Sequence, residues 1–346
     1  MKPLVSILVP AYNAGPWIAD TLRSALAQTW ARKEIIVVDD GSTDDTVAVA
    51  RQFECSELKV VSKQNEGAAA TRNHLFSLSQ GDFIQWLDAD DLLSPGKVER
   101  QLRALPDLSE RRVLLSCPWA HFMYRPQAAQ FLPTSLWADL SPVDWMIHKY
   151  GENLHQQTAT WLTSRELATA AGVWDKRLLG DDDGEYFNRV LLASHGTRFV
   201  DRSRVYYRVV PSTRLSFIGG SDRKMDAQLL SMQLTFRYLL ALEDSPRVRC
   251  ALLSYIHNWA GAFSPAREDI FEKLQVMAAS VGGEFSRPKL RSKYRWLSPL
   301  IGHVRAWRLQ LALPYYKSRA QAALDGWRHR RSAAAKRPVH ELAVDG

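Results

Sequence analysis

The first 105 residues alternate, four times over, between a short apolar run rich in β-branched residues and a longer segment with helical spacing. The runs are residues 4–10, 34–39, 58–62 and 83–87, and the helix-like segments are 16–28, 43–53, 67–79 and 95–105. Val5-Ser6-Ile7-Leu8-Val9 and Ile35-Ile36-Val37-Val38 are apolar on both faces, as strands of a parallel sheet covered by helices must be. The order βαβαβαβα therefore predicts a doubly wound α/β sheet, with ligands gathered at the carboxyl ends of its strands. Pro16 suits a first helical turn, and Ser42 followed by Asp45 has the spacing of a capping box.

Residues 113–216 mix strand-like pieces (113–117, 198–201, 204–209) with helix-like ones (142–149, 164–171, 184–193) and are expected to complete the same domain. Beyond Ser216 the pattern is helical only, at 222–242, 246–262 and 265–279. After Gly282-Gly283 it turns to Arg, Trp, Tyr and Leu, with prolines at 299 and 314. The expected organisation is a catalytic domain over 1–218, a helical extension over 219–283 and a basic, aromatic-rich tail over 284–346.

With 46% hydrophobic and 24% charged residues, the chain is ordinary for a globular protein, which excludes a disordered or collagen-like one. Lys or Arg interrupts every candidate membrane span, and the run 4–9 lacks the cleavage site of a signal peptide, so a cytoplasmic location is expected. Cys55, Cys117 and Cys250 are odd in number and far apart, which fits reduced thiols with no metal-type spacing. The net charge of +8 is uneven, since residues 284–346 alone carry 14 Lys or Arg against 4 Asp or Glu. Within 287–337 the cations interleave with Trp296, Trp307, Tyr315, Tyr316 and Trp327, an interfacial pattern that suggests an anionic membrane surface as partner. A helical appendage packed on the domain is the competing reading. Nucleic acid is disfavoured, because no recognisable binding module accompanies the charge.

Chemistry concentrates at three strand ends: Pro10-Ala11-Tyr12-Asn13, Asp39-Asp40-Gly41-Ser42 and Asp88-Ala89-Asp90-Asp91. In a parallel sheet these share one rim, where crowded carboxylates repel one another unless a cation is present. An Asp-x-Asp supplies hard oxygens suited to Mg²⁺ or Mn²⁺. Together with Asn65-Glu66-Gly67-Ala68-Ala69-Ala70-Thr71-Arg72-Asn73, these segments resemble the family 2 glycosyltransferases, inverting enzymes of the GT-A fold, over residues 4 to about 105.

The resemblance implies a nucleotide-sugar donor, most simply a UDP-sugar, and a metal-dependent transfer. In that reading Asp39 accepts the ring N–H of uracil with Asp40 beside it, and Pro10, Ala11, Tyr12 and Asn13 line the base and ribose. Arg72 steadies the diphosphate, Asp88 and Ala89 lie against the ribose or sugar, and Asp90 binds the metal. The stretch Gly180-Asp181-Asp182-Asp183-Gly184-Glu185 resembles the family's catalytic acidic segment, in a register that makes Asp183 the general base; a choice of Asp181 or Asp182 would change only the register. Three aspartates that merely serve a helix amino end are the simpler alternative.

The segment from His155 to Trp161 resembles the approach to the acceptor side. Trp161 and Trp174 would stack a sugar or, more simply, fill the core. Where the family often has a His two residues after an Arg, this chain has Val210, which places a third protein ligand for the metal in question. The function expected is transfer of a sugar to a hydroxyl of a saccharide acceptor, free or lipid-linked, in surface polysaccharide assembly at the inner face of the membrane. A catalytically silent nucleotide-sugar-binding scaffold is the alternative, and a nucleotidyltransferase, which would release pyrophosphate, is a third reading.

Overall fold

The computed structural model describes residues 2–209, 218, 221–312 and 325–326. In chain order the elements begin β1 (Val5–Ala11), α1 (Gly15–Leu26), β2 (Lys33–Asp39), α2 (Thr46–Arg51), β3 (Leu58–Ser62), α3 (Ala68–Leu78) and β4 (Phe83–Trp86). They continue with β5 (Leu92–Leu93), α4 (Lys97–Arg103), β6 (Val113–Ser116), β7 (Trp119–Phe122), α5 (Pro142–Gly151), β8 (Thr163–Ser164), α6 (Arg165–Ala171) and α7 (Asp182–Ala193). Then follow β9 (Gly196–Phe199), β10 (Val205–Arg208), α8 (Asp222–Leu242), α9 (Pro246–Ala260), α10 (Glu268–Ser280), α11 (Ser292–Arg295) and α12 (Ser298–Ile301).

The main sheet has the order β3-β2-β1-β4-β8. Its first four strands are parallel, and β8 adds one antiparallel edge. Alternation along each strand sorts the side chains onto two faces. Leu8, Ile36, Val38, Ile84 and Trp86 enter one core, while Val5, Ile7, Val9, Ile35, Val37 and Phe83 enter the other. The first core continues into α5, α7, α8, α9 and α10, so the helices after residue 218 share it with the sheet. Val248, Leu252 and Ile256 of α9 are fully buried. Each is worth roughly 1.5–3 kcal/mol of transfer free energy, which holds α9 in place as one wall of the site described below.

Pro16 occupies the first turn of α1 as expected. The capping box does not form: Asp45 precedes α2 without a side-chain cap bond, because the Ser42 hydroxyl is taken by Asp39 and by the Asn13 amide. Tail residues 290–312 form a small cluster of their own, around Leu290, Tyr294, Ala306 and Trp307. Trp307, expected on a membrane face, is 2% exposed there, whereas Trp296 is 64% exposed. Tyr315, Tyr316 and Trp327 lie outside the described residues, as does Val210.

Candidate active site

Because β1 lies between β2 and β4, the ends of all three strands meet at one rim. Ala11 pairs with Asp39, and Leu8 pairs with Trp86, two residues before Asp88. The loops at this rim are stitched together by the residues singled out from sequence. Asn13 takes a left-handed backbone (φ 48°), and its Oδ1 accepts from the Thr43 amide at 2.9 Å. Pro10 and Ala11 are strand residues, and the Ala11 carbonyl accepts from the Asp40 amide. The buried Asp39 carboxylate accepts from the Gly41 and Ser42 amides at 3.1 and 3.0 Å. Tyr12, in this loop, is 53% exposed.

Asp40 has a structural task in this loop. Its oxygens accept from Lys63 and from the amides of Glu66 and Gly67, which fixes the loop leading into α3. Burial would raise its carboxyl, but these donors outweigh burial and hold it below the ordinary value. The crowding foreseen among the rim carboxylates is thus relieved largely by local donors. Asp39 and Asp40 are committed to amides, and Asp88 pairs with Arg72.

Arg72, in α3, reaches Asp88 at 3.0 Å and Asp182, at the start of α7, at 2.6 Å, with its guanidinium 4.6 Å from the Trp174 ring centroid. The strand-end carboxylates and the acidic segment 181–183, nearly 100 residues apart in sequence, are joined through this one side chain. Asp181 takes the left-handed conformation (φ 57°) just before α7 and accepts from Ser231 in α8 at 2.6 Å. Asp183 accepts from the Thr158 hydroxyl at 3.0 Å.

The three carboxyls differ in environment. Burial, aided by Asp183 and Asp88, pushes Asp182 up to about 6 despite Arg72. Burial also raises Asp181 against the pull of Lys149. At Asp183 burial is outweighed by His155, Lys149 and Arg72, so its carboxyl stays below the ordinary value and ionised. Of the three it is the one whose carboxyl is held below the ordinary value, and it lines a cleft. That cleft, of about 290 Å³, is walled by His155, Lys149, Asp181, Asp183, Tyr255 and Trp259, among others.

For a metal, the donor set is carboxylate oxygen alone. Asp88 and Asp90 are half-buried on one turn, closed by the Asp91 amide donating to the Asp88 carbonyl at 3.1 Å. Burial, followed by repulsion from Asp90 and Asp88, drives Asp91 well above the usual carboxylate value. Such mutual repulsion is what a hard divalent ion relieves, and the residues fit one that keeps much of its coordination for water and phosphate oxygens. Among the described residues, no group of three or more His, Cys, Asp or Glu is arranged to hold a metal by itself.

Trp161 and Trp174 belong to the core: both are buried, and Trp174 stacks on Tyr186 at 4.1 Å. The sequence reading did not single out Lys149, Tyr255 or Trp259. Nothing local marks them, since α5 and α9 reach the site only through tertiary packing.

The family model for glycosyl transferase family 2 matches residues 6–123. TuaG of Bacillus subtilis strain 168, whose name assigns it to teichuronic acid biosynthesis, is 36% identical over 151 residues, 42% of this chain and 53% of that protein. Alignments to the Rickettsia typhi and Rickettsia prowazekii relatives span 36% of their length, so the chain covers about a third to a half of these three curated relatives. In fold, the chain resembles Staphylococcus aureus TarS 1–349 in complex with UDP, with a TM-score of 0.57, 15% identity and coverage of 92% of this chain and 91% of that one. The mannosyltransferase PcManGT of Pyrobaculum calidifontis, solved with GDP-Man and Mn²⁺, gives a TM-score of 0.50 at 17% identity, covering 93% and 85%.

Proposed function

Residues 6–123 being a family 2 glycosyltransferase domain, we propose that this chain is an inverting glycosyltransferase that moves a sugar from a UDP-sugar to a hydroxyl of a saccharide acceptor. One observation carries the reading: the carboxylate of Asp183 borders a cleft and, through its neighbour Asp182 and Arg72, is linked to Asp88 at the end of a strand. The donor lies on the rim, with its base and ribose along Pro10–Asn13 and Asp39, and its sugar towards Asp88 and Ala89. Asp40 acts through the loop it anchors. Asp90 is the protein's ligand for Mg²⁺ or Mn²⁺, an ion that would neutralise charge developing on the leaving diphosphate. The TarS complex with UDP and the Mn²⁺ in PcManGT support this kind of donor and metal.

The acceptor hydroxyl gives its proton to Asp183 as its oxygen bonds to the anomeric carbon, and the bond from that carbon to the diphosphate oxygen breaks with its electron pair leaving on UDP. Thr158, donating to Asp183, orients the carboxylate. Arg72 lies on the diphosphate side and keeps Asp182 from acting as a second free base. The names of TuaG and of chondroitin synthase from Escherichia coli support an acceptor that is a polysaccharide under assembly. The basic tail places the enzyme at an anionic membrane face, where such acceptors are lipid-linked.

The test is product analysis with a UDP-sugar panel and Mn²⁺ or Mg²⁺. UDP should be released, and Asp183→Asn should lower kcat by about 10²–10⁴ while UDP affinity holds. Pyrophosphate release would replace this reading with nucleotidyl transfer. Equal turnover by Asp183→Asn would remove the base. UDP binding without turnover of any donor would favour the scaffold.

A further inference from the structure

The cleft beside Asp183 is not built by the family-matched segment. Its walls come from the end of α5 and the residues after it (Lys149, His155, Gln156), from α7, and from two helices of the extension, through Gln228 of α8 and Tyr255 and Trp259 of α9. We propose that α8 and α9 form the acceptor wall, and that the cleft selects an uncharged pyranoside over an acceptor bearing a carboxylate or phosphate. This rests on the glycosyltransferase reading above and adds to it the chemical class of the second substrate.

Three observations carry the proposal. The first is size: about 290 Å³ lies at the small end of ligand clefts, roughly 300–1,000 Å³, and admits a single ring better than an extended chain. The second is a matched set of surfaces for a polyhydroxylated ring. Trp259 lines the cleft half-buried, its ring roughly perpendicular to that of Tyr255 at 6.5 Å, and brings an aromatic surface of the kind that packs against the C–H side of a pyranose. Gln156 is 5% exposed, and its Nε2 donates to the Thr160 hydroxyl at 2.8 Å. Its Oε1 is buried without a partner among the described residues, an acceptor awaiting a hydroxyl.

The third is charge. The ammonium of Lys149 lies against the rings of Trp145 and Tyr150 and is held protonated, against burial, by Tyr150, Asp181 and Asp183. That cation is already matched by carboxylates of the same cleft. An acceptor carboxylate or phosphate entering here would lose its water, meet no unmatched cation from Lys149 and approach the charge of Asp183. A neutral ring loses only the water of its hydroxyls, at a smaller cost, and meets no charge repulsion.

The experiment uses the full chain, a donor identified by UDP release, and three acceptor probes: a neutral methyl pyranoside, a methyl glucuronoside and glycerol phosphate. The neutral ring should be preferred at least tenfold in kcat/KM. Trp259→Ala should raise the acceptor KM about tenfold with a smaller change in kcat, and Trp259→Phe should restore most of it, with UDP affinity equal in all three proteins. Better transfer to glucuronoside or glycerol phosphate overturns the charge selection. An unchanged acceptor KM in Trp259→Ala overturns the role of α9, and so does a KM that Trp259→Phe fails to recover. Loss of UDP binding or of UDP release in the wild type would instead refute the glycosyltransferase reading itself, so the two failures are distinct. Should Trp259→Ala not fold, Gln156→Leu reads the same KM.

Discussion

Arg72 holds two carboxylates from opposite halves of the catalytic region, and a planar guanidinium suits this better than an ammonium, because its donors diverge at fixed angles. Replacing it with Ala leaves Asp88 and Asp182 without their cation, and leaves Trp174 without its charged neighbour. Breaking a buried pair costs about 3–5 kcal/mol, so urea denaturation of Arg72→Ala should show a loss of that order, with Arg72→Lys recovering part of it. Asp182 makes a sharper prediction. Its folded-state pKa of about 6 lies above the ordinary value of 3.8, so between these limits the native state keeps a proton that the unfolded chain releases. The contribution to stability is full below about pH 4 and is lost as pH rises through 6. The Tm of the wild type minus that of Asp182→Asn should therefore fall from pH 4 to pH 7; a difference that rises with pH would show that Asp182 is not raised. These pairings could not be read from the sequence. The carboxylates at strand ends were legible because strand ends are, but which aspartate meets Arg72 depends on where α7 docks, and no spacing encodes that.

Elements differ in what they ask of their connecting loops. The loop from Lys63 to Gly67 has no regular structure of its own, and Asp40 supplies what it lacks by accepting from Lys63 and two loop amides. Asp40→Ala should destabilise the fold by about 3 kcal/mol, since bonds to a charged acceptor are worth about 1.5–3 kcal/mol each and are partly replaced by water. It should also weaken UDP binding through misplacement of α3, measurable by calorimetry. Gly196 is a control remote from this loop: it sits at φ 136°, and a Cβ there would lie 2.6 Å from the Leu140 carbonyl oxygen. Gly196→Ala should cost about 1–3 kcal/mol of stability and leave UDP affinity unchanged. The long periodic elements, β1 to β4 with their helices and α7 to α10, could be read in sequence to within a few residues. The strands β5 and β8 could not, because two residues carry no period, and β8 is a strand only through its partner β4. The capping box failed for a related reason: Ser42 has the right spacing to accept from a local amide, but its oxygen accepts from the Asn13 amide of another loop instead.

At the scale of the whole molecule the question is what the basic tail does while the sheet does chemistry. Part of it is held by the body: Asp325 accepts from Arg125 at 2.6 Å and from the Tyr124 amide at 3.2 Å. Part has a core of its own, in which Trp307 is consumed. Among the described tail residues, Trp296, with Leu300 at 74% exposure, faces outward beside Lys293 and Arg295, and no described helix is long and apolar enough to cross a membrane. An aromatic and an aliphatic side chain flanked by cations is the composition of an interfacial contact, in which the rings enter the headgroup boundary and each nearby cation adds about 1 kcal/mol on anionic lipid. The full chain should float with vesicles containing phosphatidylglycerol but not with purely phosphatidylcholine ones, and should detach as salt is raised. Because salt alone would equally release nucleic acid, flotation should be unchanged by nuclease. The double change Trp296→Ala with Leu300→Ser should reduce binding about tenfold while UDP affinity stays constant. If binding survives this change, the outward face of residues 296–300 is not the contact; if no anionic vesicle binds the wild type, the tail is an appendage of the fold, and the acceptor must come to a soluble enzyme.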